Sequence, residues 1–526
     1  MKKVFIKMMA MLIVSISLIS MFACGPQAIE DQEATDPNKT QVYYYYYDGD
    51  GSKEYLKNAA TEFNKTQTKF QIKVVGTLNE NYAQQLISGG GNASIHELTS
   101  SVSSYLVDSG AVANLDDMLD CEIESGVKLK DKMLYVDETR EFGSTTSHKG
   151  LYGIPIASYP VHLIIDYQMF KDNGWLISEG GKLSVGNDGI EGTYDDGMPV
   201  TIAEWDEMVR RIDRTPNTEP FIFSTKYNFY IEPLIHSLIA SYGGWQEYID
   251  IFSATGFYKD SDGNSHNVTL ENGYEMYKAD SFYKAMKFME DYICNKDYMH
   301  EKAKTSTGLT HKEAVNYFIS GYKDEVQQAG MLIEYPTFED SNKYYFSLLT
   351  KAGDVGKGYG ERDFRYLLLP RLNDNETLSY MATSGMGMVV VSEDADKERL
   401  QVAKDFLLYT LRDEYLQQFS LGAGGIKRNF NYSLTEEQLS QFTPFQRTNF
   451  TMMADTAHIK LLTGLELAGK DPESRGMVYK TAAYQFTALM GDGLYERPLL
   501  ALRRYNAKEY VDGIYKFRKE EMWGVK

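Results

Sequence analysis

The chain has 526 residues, of which 43% are hydrophobic, and its 74 acidic and 54 basic side chains give a formal net charge of −20. This length and apolar content allow a full globular core and predict two or more lobes. The negative charge repels phosphate backbones and anionic lipid, so it argues against nucleic-acid binding and against electrostatic docking on a membrane.

The first 24 residues have the layout of a secretory signal. Three lysines precede an apolar run over residues 8–22, which is shorter than a comfortable membrane span. The run ends on Ala23-Cys24-Gly25, which resembles the signal of bacterial lipoproteins, in which the cysteine receives a diacylglyceryl group. We therefore predict a signal peptide over residues 1–23, lipidation of Cys24 and a flexible tether over residues 24–41. The expected location is the extracytoplasmic face of a bacterial cell membrane; ordinary secretion and an uncleaved anchor are the alternatives.

Strand and helix patterns alternate along the chain after the tether. Residues 42–47 form an aromatic run with strong strand preference. Residues 55–63 repeat an apolar or aromatic side chain at every fourth position, which predicts a helix, and residues 71–75 alternate as a strand. A second helix is predicted over residues 82–87. The order strand, helix, strand, helix favours a parallel α/β sheet.

The same alternation continues towards the C-terminus. Residues 201–204 have the form of a capping box, and an amphipathic helix follows to residue 212. Further amphipathic helices are predicted over residues 282–293 and 400–411, and the apolar residues 385–391 predict a strand before the second of these. The last hundred residues favour helix, and the sequence contains no internal repeat.

Five short motifs occur in an order that is typical of one protein family. They lie at residues 150–155 with 165–174, 199–205, 232–235 with 242–245, 329–338, and 385–391 with 402–411. The first, Gly-Leu-Tyr-Gly-Ile-Pro followed by Ile-Asp-Tyr-Gln-Met-Phe-Lys-Asp-Asn-Gly, is the most specific. In order and spacing the motifs resemble those of the extracellular solute-binding proteins of ABC sugar importers, the group that includes relatives of the maltose-binding protein.

This resemblance implies an α/β chain with the two-lobed, type II fold of periplasmic binding proteins. The chain would cross between the lobes more than once, so that each lobe is discontinuous and the crossovers act as hinges. The expected lobes are residues 42–158 with 376–425, and residues 159–375 with 426–526, the second ending in helices. The ligand would lie in the cleft, where contacts to both lobes stabilise the closed form.

A carbohydrate presents apolar ring faces and a rim of hydroxyl groups, so its site needs aromatic planes beside hydrogen-bonding side chains. The 40 tyrosines suit such a surface, although they suit the general surface of a large secreted protein equally well. Candidates for ligand contact lie in loops that the resemblance places at the cleft, and for each of them packing in the core is the alternative. They are Tyr47, Asp48, Glu97, Tyr159, Tyr227, Tyr230, Trp245, Tyr335, Phe338, Ser384, Gly385 and Arg428.

Two acidic loops are candidates for binding calcium, which takes six to eight oxygen ligands. The first, residues 187–197, offers Asp188, Asp195 and Asp196, and the second spans residues 260–271. The second lacks the glycine that an EF-hand has at its sixth position, and it also has the form of a hairpin turn. No other cofactor is expected, and the predicted function does not require calcium.

Besides Cys24 the chain has two cysteines, Cys121 and Cys294, and it has no CxxC spacing. Neither a zinc site nor a redox pair is therefore indicated. The two cysteines could pair in an oxidising compartment, but we expect them to stay free.

The motifs of common enzymes are absent from the sequence, among them the G-x-S-x-G elbow, HExxH and the P-loop. We expect no enzyme activity, but capture of a carbohydrate, preferably an oligosaccharide, and its delivery to the permease subunits of an ABC transporter. The protein would be a monomer that touches the membrane only through its lipid. A non-sugar solute such as a peptide is the alternative ligand. A secreted glycosidase, with two carboxylates about 5–9.5 Å apart, is the alternative function.

Overall fold

Two sheets, and the chain segments that cross between them, organise the molecule. The computed structural model describes residues 29–30, 35–47, 53–77, 87, 94–98, 104–145, 147–321, 327–464 and 486–525. In chain order the strands of the two sheets are β1 (Ile29–Glu30), β2 (Thr40–Tyr47), β3 (Phe70–Thr77), β4 (Ser94–Leu98), β5 (Ile154–Pro160), β6 (His162–Asp166), β7 (Thr218–Ile222), β8 (Gln328–Glu334), β9 (Phe364–Leu367), β10 (Ser379–Val391) and β11 (Ile459–Leu462).

Helices and short hairpins connect these strands. The α-helices are α1 (Lys53–Lys65), α2 (Ser104–Asp108), α3 (Leu129–Lys132), α4 (Val136–Gly143), α5 (Tyr167–Asp172), α6 (Ile202–Asp213), α7 (Glu232–Ser253), α8 (Asp280–Phe288), α9 (Glu301–Thr305), α10 (His311–Ser320), α11 (Phe338–Ser341), α12 (Lys343–Lys351), α13 (Lys397–Tyr409), α14 (Asp413–Gly422), α15 (Glu436–Leu439), α16 (Pro444–Ala454), α17 (Pro498–Ala501) and α18 (Ala507–Phe517). Two-stranded hairpins pair Glu122–Glu124 with Val127–Lys128, Ser178–Glu179 with Lys182–Leu183, Gly256–Lys259 with Ser265–Val268, and Ala488–Leu489 with Tyr495–Glu496.

The larger sheet has the order β1-β3-β2-β4-β10-β11, and β5 also pairs with β10. Strand β2 runs parallel to both β3 and β4, with α1 as the connection between β2 and β3. Alternate residues of β2, namely Val42, Tyr44 and Tyr46, are buried, and α1 buries the face that repeats every fourth residue. The predicted parallel strand–helix–strand unit is therefore confirmed, whereas the helix predicted over residues 82–87 lies almost entirely outside the described residues.

The chain passes from the larger sheet to the smaller one through a single residue. Strand β5 ends at Pro160 and β6 begins at His162, and the smaller sheet has the order β7-β8-β6-β9. After β9 ends at Leu367, the chain returns to the larger sheet at Ser379, where β10 begins. These crossings give the two-lobed, discontinuous α/β fold that the sequence predicts.

A further crossing follows near the C-terminus. Helix α16 packs on β9 of the smaller sheet, and the next strand, β11, pairs in parallel with the first residues of β10 in the larger sheet. Strand β11 thus belongs to the larger sheet although it lies within residues 426–526, the span assigned to the second lobe. The exact lobe boundaries stay a prediction.

The predicted helices at residues 201–212, 282–293 and 400–411 and the strand at 385–391 have counterparts in the structure. The last hundred residues are only partly helical, because their described part also contains β11 and the hairpin of Ala488–Leu489 with Tyr495–Glu496. Helix α6 begins at Thr201 with both hydrogen bonds of a capping box. Helix α8 ends at Phe288 and continues as a π-helical turn over Met289–Ile293, and β10 begins six residues before the predicted strand. Cys121 and Cys294 are free, as expected. Within the described ranges, no helix has the length and hydrophobicity needed to cross a membrane.

A buried ion pair anchors the end of β6. Asp166 and Arg362 are 2% and 4% exposed, and Arg362 donates to Asp166 Oδ2 from Nε (2.7 Å) and Nη2 (2.6 Å). Arg362 Nη1 also donates to the carbonyl of Ile319 at 2.9 Å, and Asp166 Oδ1 accepts the Met169 N–H at the start of α5. The pair therefore joins three elements around the smaller sheet, and neither charge has access to bulk water.

We expect Arg362→Met to lower the free energy of unfolding by about 3–5 kcal/mol, because it leaves the Asp166 carboxylate buried without a countercharge. Arg210→Met is the matched control, since Arg210 pairs with Asp206 on the exposed face of α6 and its loss should cost about 0.5 kcal/mol or less. Guanidinium denaturation followed by circular dichroism measures both. Equal costs in the two variants would contradict the assigned role of the buried pair.

The carboxyl group of Glu339, in α11, is buried at the boundary between α11 and α16. Its Oε2 accepts a hydrogen bond from Thr443 Oγ1 at 2.6 Å, and burial raises its pKa from 4.5 to about 7. Between these two pH values the folded chain holds a proton on Glu339 that the unfolded chain has lost. Stability linked to this group therefore falls as the pH rises from about 4.5 to about 7.

We expect Glu339→Gln to remove this part of the pH dependence, because the amide mimics the neutral carboxyl. The difference in unfolding free energy between wild type and variant should change by an amount on the order of 2–3 kcal/mol between pH 5 and pH 8. Denaturation at four pH values within this range measures it, with Glu436→Gln as a control on the exposed surface of α15. A constant difference across the range would show that Glu339 does not titrate in this window.

Candidate ligand-binding site

The loops that follow the parallel strands β7 and β8 lie at one edge of the smaller sheet, next to the crossover. Strands β7 and β8 are parallel, and β8 ends at Glu334 opposite His162, the first residue of β6 after the crossing. Strand β9 ends at the same edge, where Leu367 pairs with Leu163. The segments that follow β7 and β8 therefore lie beside the point where the chain passes between the sheets, which is where open α/β sheets bind ligands.

Four aromatic side chains from these two segments form a cluster. Tyr227 stacks on Phe229 (5.3 Å between ring centroids), Phe229 contacts Tyr230 (4.8 Å), and Tyr335 meets Tyr230 edge to face (5.2 Å). Tyr230 is buried, Tyr227 and Tyr335 are half-buried, and Phe229 is 47% exposed. We call Tyr227, Phe229, Tyr230 and Tyr335 the aromatic cluster; it has a buried base and an open face.

Two ionisable side chains lie under this cluster. The imidazole of His311, at the start of α10, stacks on Tyr230 at 5.3 Å, and its Nδ1 lies 3.7 Å from Oε2 of Glu334. Glu334 Oε1 accepts the Tyr335 N–H at 3.0 Å, and Oε2 has no hydrogen-bond partner among the described residues. Burial raises the pKa of Glu334, with His311 opposing, and burial beside Glu334 also raises the pKa of Tyr230. The site thus combines aromatic faces with a buried carboxyl group, one oxygen of which can accept a further hydrogen bond.

Sequence reasoning identified three members of this site and missed three. Tyr227, Tyr230 and Tyr335 were predicted, and the structure brings them together. Phe229 lies between two predicted tyrosines and Glu334 directly precedes the third, so proximity in sequence could have indicated both. No sequence signal indicated His311, because it reaches the cluster through the packing of α10 against β8.

On the larger sheet, the structure locates the backbone of several predicted residues but not their side chains. Tyr47 ends β2, Leu98 ends the parallel strand β4, and Leu98 pairs with Met388, close to Ser384 and Gly385 in β10. These residues therefore lie at one edge of the sheet, and Tyr159, half-buried near the end of β5, adjoins it. The side chains of Tyr47 and Ser384, and the whole of Asp48, lie outside what the structure describes.

Three other predicted residues are buried in the core. The ring of Phe338 is 1% exposed and packs on Phe364 and Phe445, because α11 lies between β9 and α16. Glu97 is buried and accepts a hydrogen bond from the hydroxyl of Tyr44 at 3.0 Å.

Arg428 is also enclosed, with 1% of its surface exposed. Its Nε donates to the carbonyl of Ile156 at 2.9 Å, and its guanidinium lies near the rings of Phe419 and Phe430. In this structure Phe338, Glu97 and Arg428 therefore serve packing and offer no face to a ligand.

Trp245 lies at a kink in α7, away from the aromatic cluster. Gly244 has a φ of 80°, which interrupts helical geometry just before it. The indole stacks face to face with Tyr380 at 6.5 Å, and Lys460 Nζ lies 4.3 Å from the indole ring. The helical stretch between Tyr230 and Trp245 spans about 20 Å. The structure therefore does not bring Trp245 together with the tyrosines that were predicted to share its site.

The predicted calcium loop is held by its own hydrogen bonds. Asp195 is buried, and its Oδ2 accepts the N–H groups of Asn187 (2.7 Å) and Asp188 (3.2 Å), while Asp196 Oδ2 accepts that of Gly192 (2.8 Å). Burial raises the pKa of Asp195, a shift that disfavours the charged form a cation needs. Asp188, Asp195 and Asp196 do not converge, and no group of three or more metal-binding side chains occurs within the described residues.

Comparison with known proteins adds evidence about the fold. No family model matches the sequence, and neither does any curated protein. Among solved structures, a chitin oligosaccharide binding protein is similar with a TM-score of 0.56 at 14% identity, over 92% of this chain and 99% of its own. A Streptococcus pneumoniae solute-binding protein in complex with the blood group A-trisaccharide has a TM-score of 0.53 at 11% identity, over 91% and 100%.

A probable secreted solute-binding lipoprotein from Streptomyces coelicolor is similar to the same degree, with a TM-score of 0.55 at 11% identity, over 92% of this chain and 99% of its own. These similarities cover nearly all of both chains. The chain therefore has the two-lobed fold of bacterial solute-binding proteins.

Proposed function

We propose that this chain is a solute-binding protein that captures a carbohydrate, in the size range of an oligosaccharide, between its two lobes and delivers it to the permease subunits of an ABC importer. The observation that carries the proposal is the aromatic cluster beside the crossover, with the buried acceptor Glu334 beneath it. The solved structures of similar fold include a chitin oligosaccharide binding protein and a complex with a trisaccharide, which supports the same ligand class here.

The chemistry of the cluster suits a sugar better than a charged solute. A pyranose ring offers C–H faces that pack on Phe229 and the tyrosines, and its hydroxyl groups can donate to the free Oε2 of Glu334. Beneath the cluster, the carboxyl group of Glu334 and the imidazole of His311 face each other. A ligand that carries its own charge would have to disturb this pair, whereas a neutral hydroxyl would complete its hydrogen bonding.

Ligand contacts with both lobes would favour a closed form. The passage from β5 to β6 through Val161 is short enough to act as a hinge. A change in the few backbone dihedrals of this passage would be enough to change the angle between the sheets. A ligand shifts this equilibrium only by its difference in affinity for the two forms. Contacts from the β2, β4 and β10 edge of the larger sheet would supply that difference.

Binding without turnover is the second part of the proposal. Hydrolysis of a glycosidic bond generally uses two carboxyl groups about 5–9.5 Å apart. Among the described residues that contact the aromatic cluster, the carboxyl group is that of Glu334, and its side chain accepts a hydrogen bond from the backbone of Tyr335. The protein would act as a monomer, and it would be held at the outer face of the cell membrane by a lipid on Cys24.

We expect Tyr335→Ala to weaken saccharide binding by about 1–3 kcal/mol, by analogy with the stacking of bases on aromatic side chains. A thermal-shift screen of raffinose, chitin oligosaccharides and xylo-oligosaccharides identifies a ligand first, since a ligand at 100 times its Kd stabilises the fold by about 2.7 kcal/mol. Calorimetric titration then compares wild type, Tyr335→Ala and the control Tyr344→Ala, whose ring is 67% exposed on α12. Unchanged affinity in Tyr335→Ala, or release of reducing sugars by the wild type, would overturn the proposal.

We expect Cys24→Ser to move the protein from the membrane fraction to the soluble fraction of cells that express the full chain. The serine hydroxyl cannot form the thioether to diacylglycerol, and the negative surface gives no electrostatic attraction to anionic lipid. Fractionation followed by immunoblotting measures the distribution, with Cys121→Ser as the matched control. Retention of Cys24→Ser at the wild-type level in the membrane would place the anchor elsewhere.

A further inference from the structure

A cavity lies in the part of the chain between β7 and β8 and on the C-terminal helix α18, away from the aromatic cluster. It is formed by the turn of the hairpin Gly256–Lys259 and Ser265–Val268, the 3₁₀ helix Gly273–Lys278, the start of α8 and one face of α18. Its volume is about 570 Å³, within the range of small-molecule sites. None of its lining residues belongs to the aromatic cluster or to the crossover strands, so it is a separate feature. We call it the lateral cavity.

Three tyrosines supply the apolar part of its wall. Tyr283, on α8, is 36% exposed, Tyr515, on α18, is half-buried, and Tyr277 is fully buried behind them. Tyr515 is held in place because its hydroxyl donates to Glu275 at 3.0 Å and Lys278 Nζ lies 4.5 Å from its ring. The hydroxyl of Tyr277 has no hydrogen-bond partner among the described residues. The wall therefore offers rigid aromatic surface that is only partly covered.

Three carboxylates line the cavity, and each already has a basic partner. Asp260 contacts His266 (2.7 Å), Asp280 contacts Lys284 (2.6 Å), and Asp512 contacts Lys508 (3.2 Å). Hydrogen bonds from His266 and from the turn lower the pKa of Asp260 to about 2, so this carboxylate remains an acceptor under ordinary conditions.

This pairing decides between classes of ligand. A phosphate or a polyamine would compete with these existing partners, and it would meet both signs of charge at the same wall. A neutral polyhydroxyl compound needs no such exchange, because its hydroxyl groups donate to the aspartates and accept from the ammonium groups of Lys278 and Lys508 while the pairs stay intact. Its apolar faces would pack on Tyr283 and Tyr515.

We propose that the lateral cavity is a second carbohydrate site, which takes a short neutral saccharide outside the interlobe cleft. The site combines partly exposed aromatic faces with carboxylate acceptors and ammonium donors, in a cavity of sufficient volume. It does not depend on the cleft, since it shares no residue with the aromatic cluster. Saccharide binding here would persist when the cleft site is disabled.

The test uses the full chain in saturation-transfer NMR with chitotriose, xylotriose and raffinose as probes. Tyr283→Ala removes the most exposed ring of the cavity, and Ser261→Trp places a bulky ring at its exposed hairpin turn. Tyr344→Ala is the matched control for loss of an exposed tyrosine, and Tyr335→Ala weakens binding in the cleft. Melting temperatures and near-ultraviolet circular dichroism show that each variant is folded.

We expect at least one probe to bind Tyr335→Ala with a residual affinity that falls tenfold or more when Tyr283→Ala is added, while adding Tyr344→Ala changes nothing. Ser261→Trp should give the same loss; if it does not fold, the pair of tyrosine variants still decides. A residual affinity that Tyr283→Ala leaves unchanged, or the complete absence of binding in Tyr335→Ala, would overturn the proposal. So would displacement of the saccharide by spermidine or inorganic phosphate at equal concentration, because either would indicate a charged ligand.

The result also separates this proposal from the function proposed for the cleft. Loss of all binding in Tyr335→Ala would support the cleft as the binding site and would contradict a second site in the lateral cavity. Binding that responds only to Tyr283→Ala would support the lateral cavity and remove the cleft.

Discussion

The length of strand β10 is the constraint on which the rest of the architecture depends. Its 13 residues pair with β11 over Ser379–Ala382 and with β4 over Met388–Val391, and β5 runs along the other side. Because a strand inside a sheet must satisfy backbone groups on both sides, β10 holds together segments from three distant parts of the chain. The register with β5 shifts twice between Thr383 and Met388, just where β5 approaches the crossover. Such irregularities bend a strand and often lie next to binding sites.

The tyrosine content is explained largely by the core rather than by the ligand. Buried or half-buried tyrosines donate to carboxylates in several places, among them Tyr44–Glu97, Tyr194–Asp455, Tyr292–Asp206, Tyr359–Asp340 and Tyr380–Glu376. Such a pair buries an aromatic ring while giving the hydroxyl and the acid a partner. Composition cannot separate these tyrosines from those of the aromatic cluster, since both need an apolar ring and a polar tip.

The sequence predicts those elements whose signals are local. The capping box at Thr201 and the apolar spacing after it define α6, and the aromatic run of β2 defines a strand with one buried face. The position of a motif also indicates which loops approach the crossover, which is why Tyr227, Tyr230 and Tyr335 are found together. What the sequence does not contain is the direction in which a side chain points after a turn.

Two residues illustrate this limit. Phe338 follows Tyr335 by three positions in the same motif, yet the short helix α11 turns it between β9 and α16, and the ring is buried. Trp245 belongs to the same helix as the residues after Tyr230, but the length of that helix separates it from the cluster. A third residue, His311, shows the converse: it lies at the cluster although the sequence did not predict it. It comes from a distant segment, and only tertiary packing brings it under Tyr230. In all three cases the deciding contact lies between elements rather than within one.

The Oε2 atom of Glu334, which accepts no hydrogen bond from the described residues, links the fold to ligand selectivity. A buried acceptor without a hydrogen bond costs about 1–3 kcal/mol, and the nearby His311 Nδ1, at 3.7 Å from Oε2, offsets part of this cost. The ligand-free site retains an unfavourable contribution that a suitable donor can remove. A ligand hydroxyl that donates to Oε2 forms a hydrogen bond and also removes the cost of the buried acceptor. A ligand that lacks this hydroxyl leaves the acceptor buried and cut off from solvent. Sites built to hydrogen-bond a specific group reject analogues without it far more strongly than apolar pockets reject a change in size. The aromatic faces of the cluster would accept many sugars, and Glu334 would choose among them by the position of one hydroxyl.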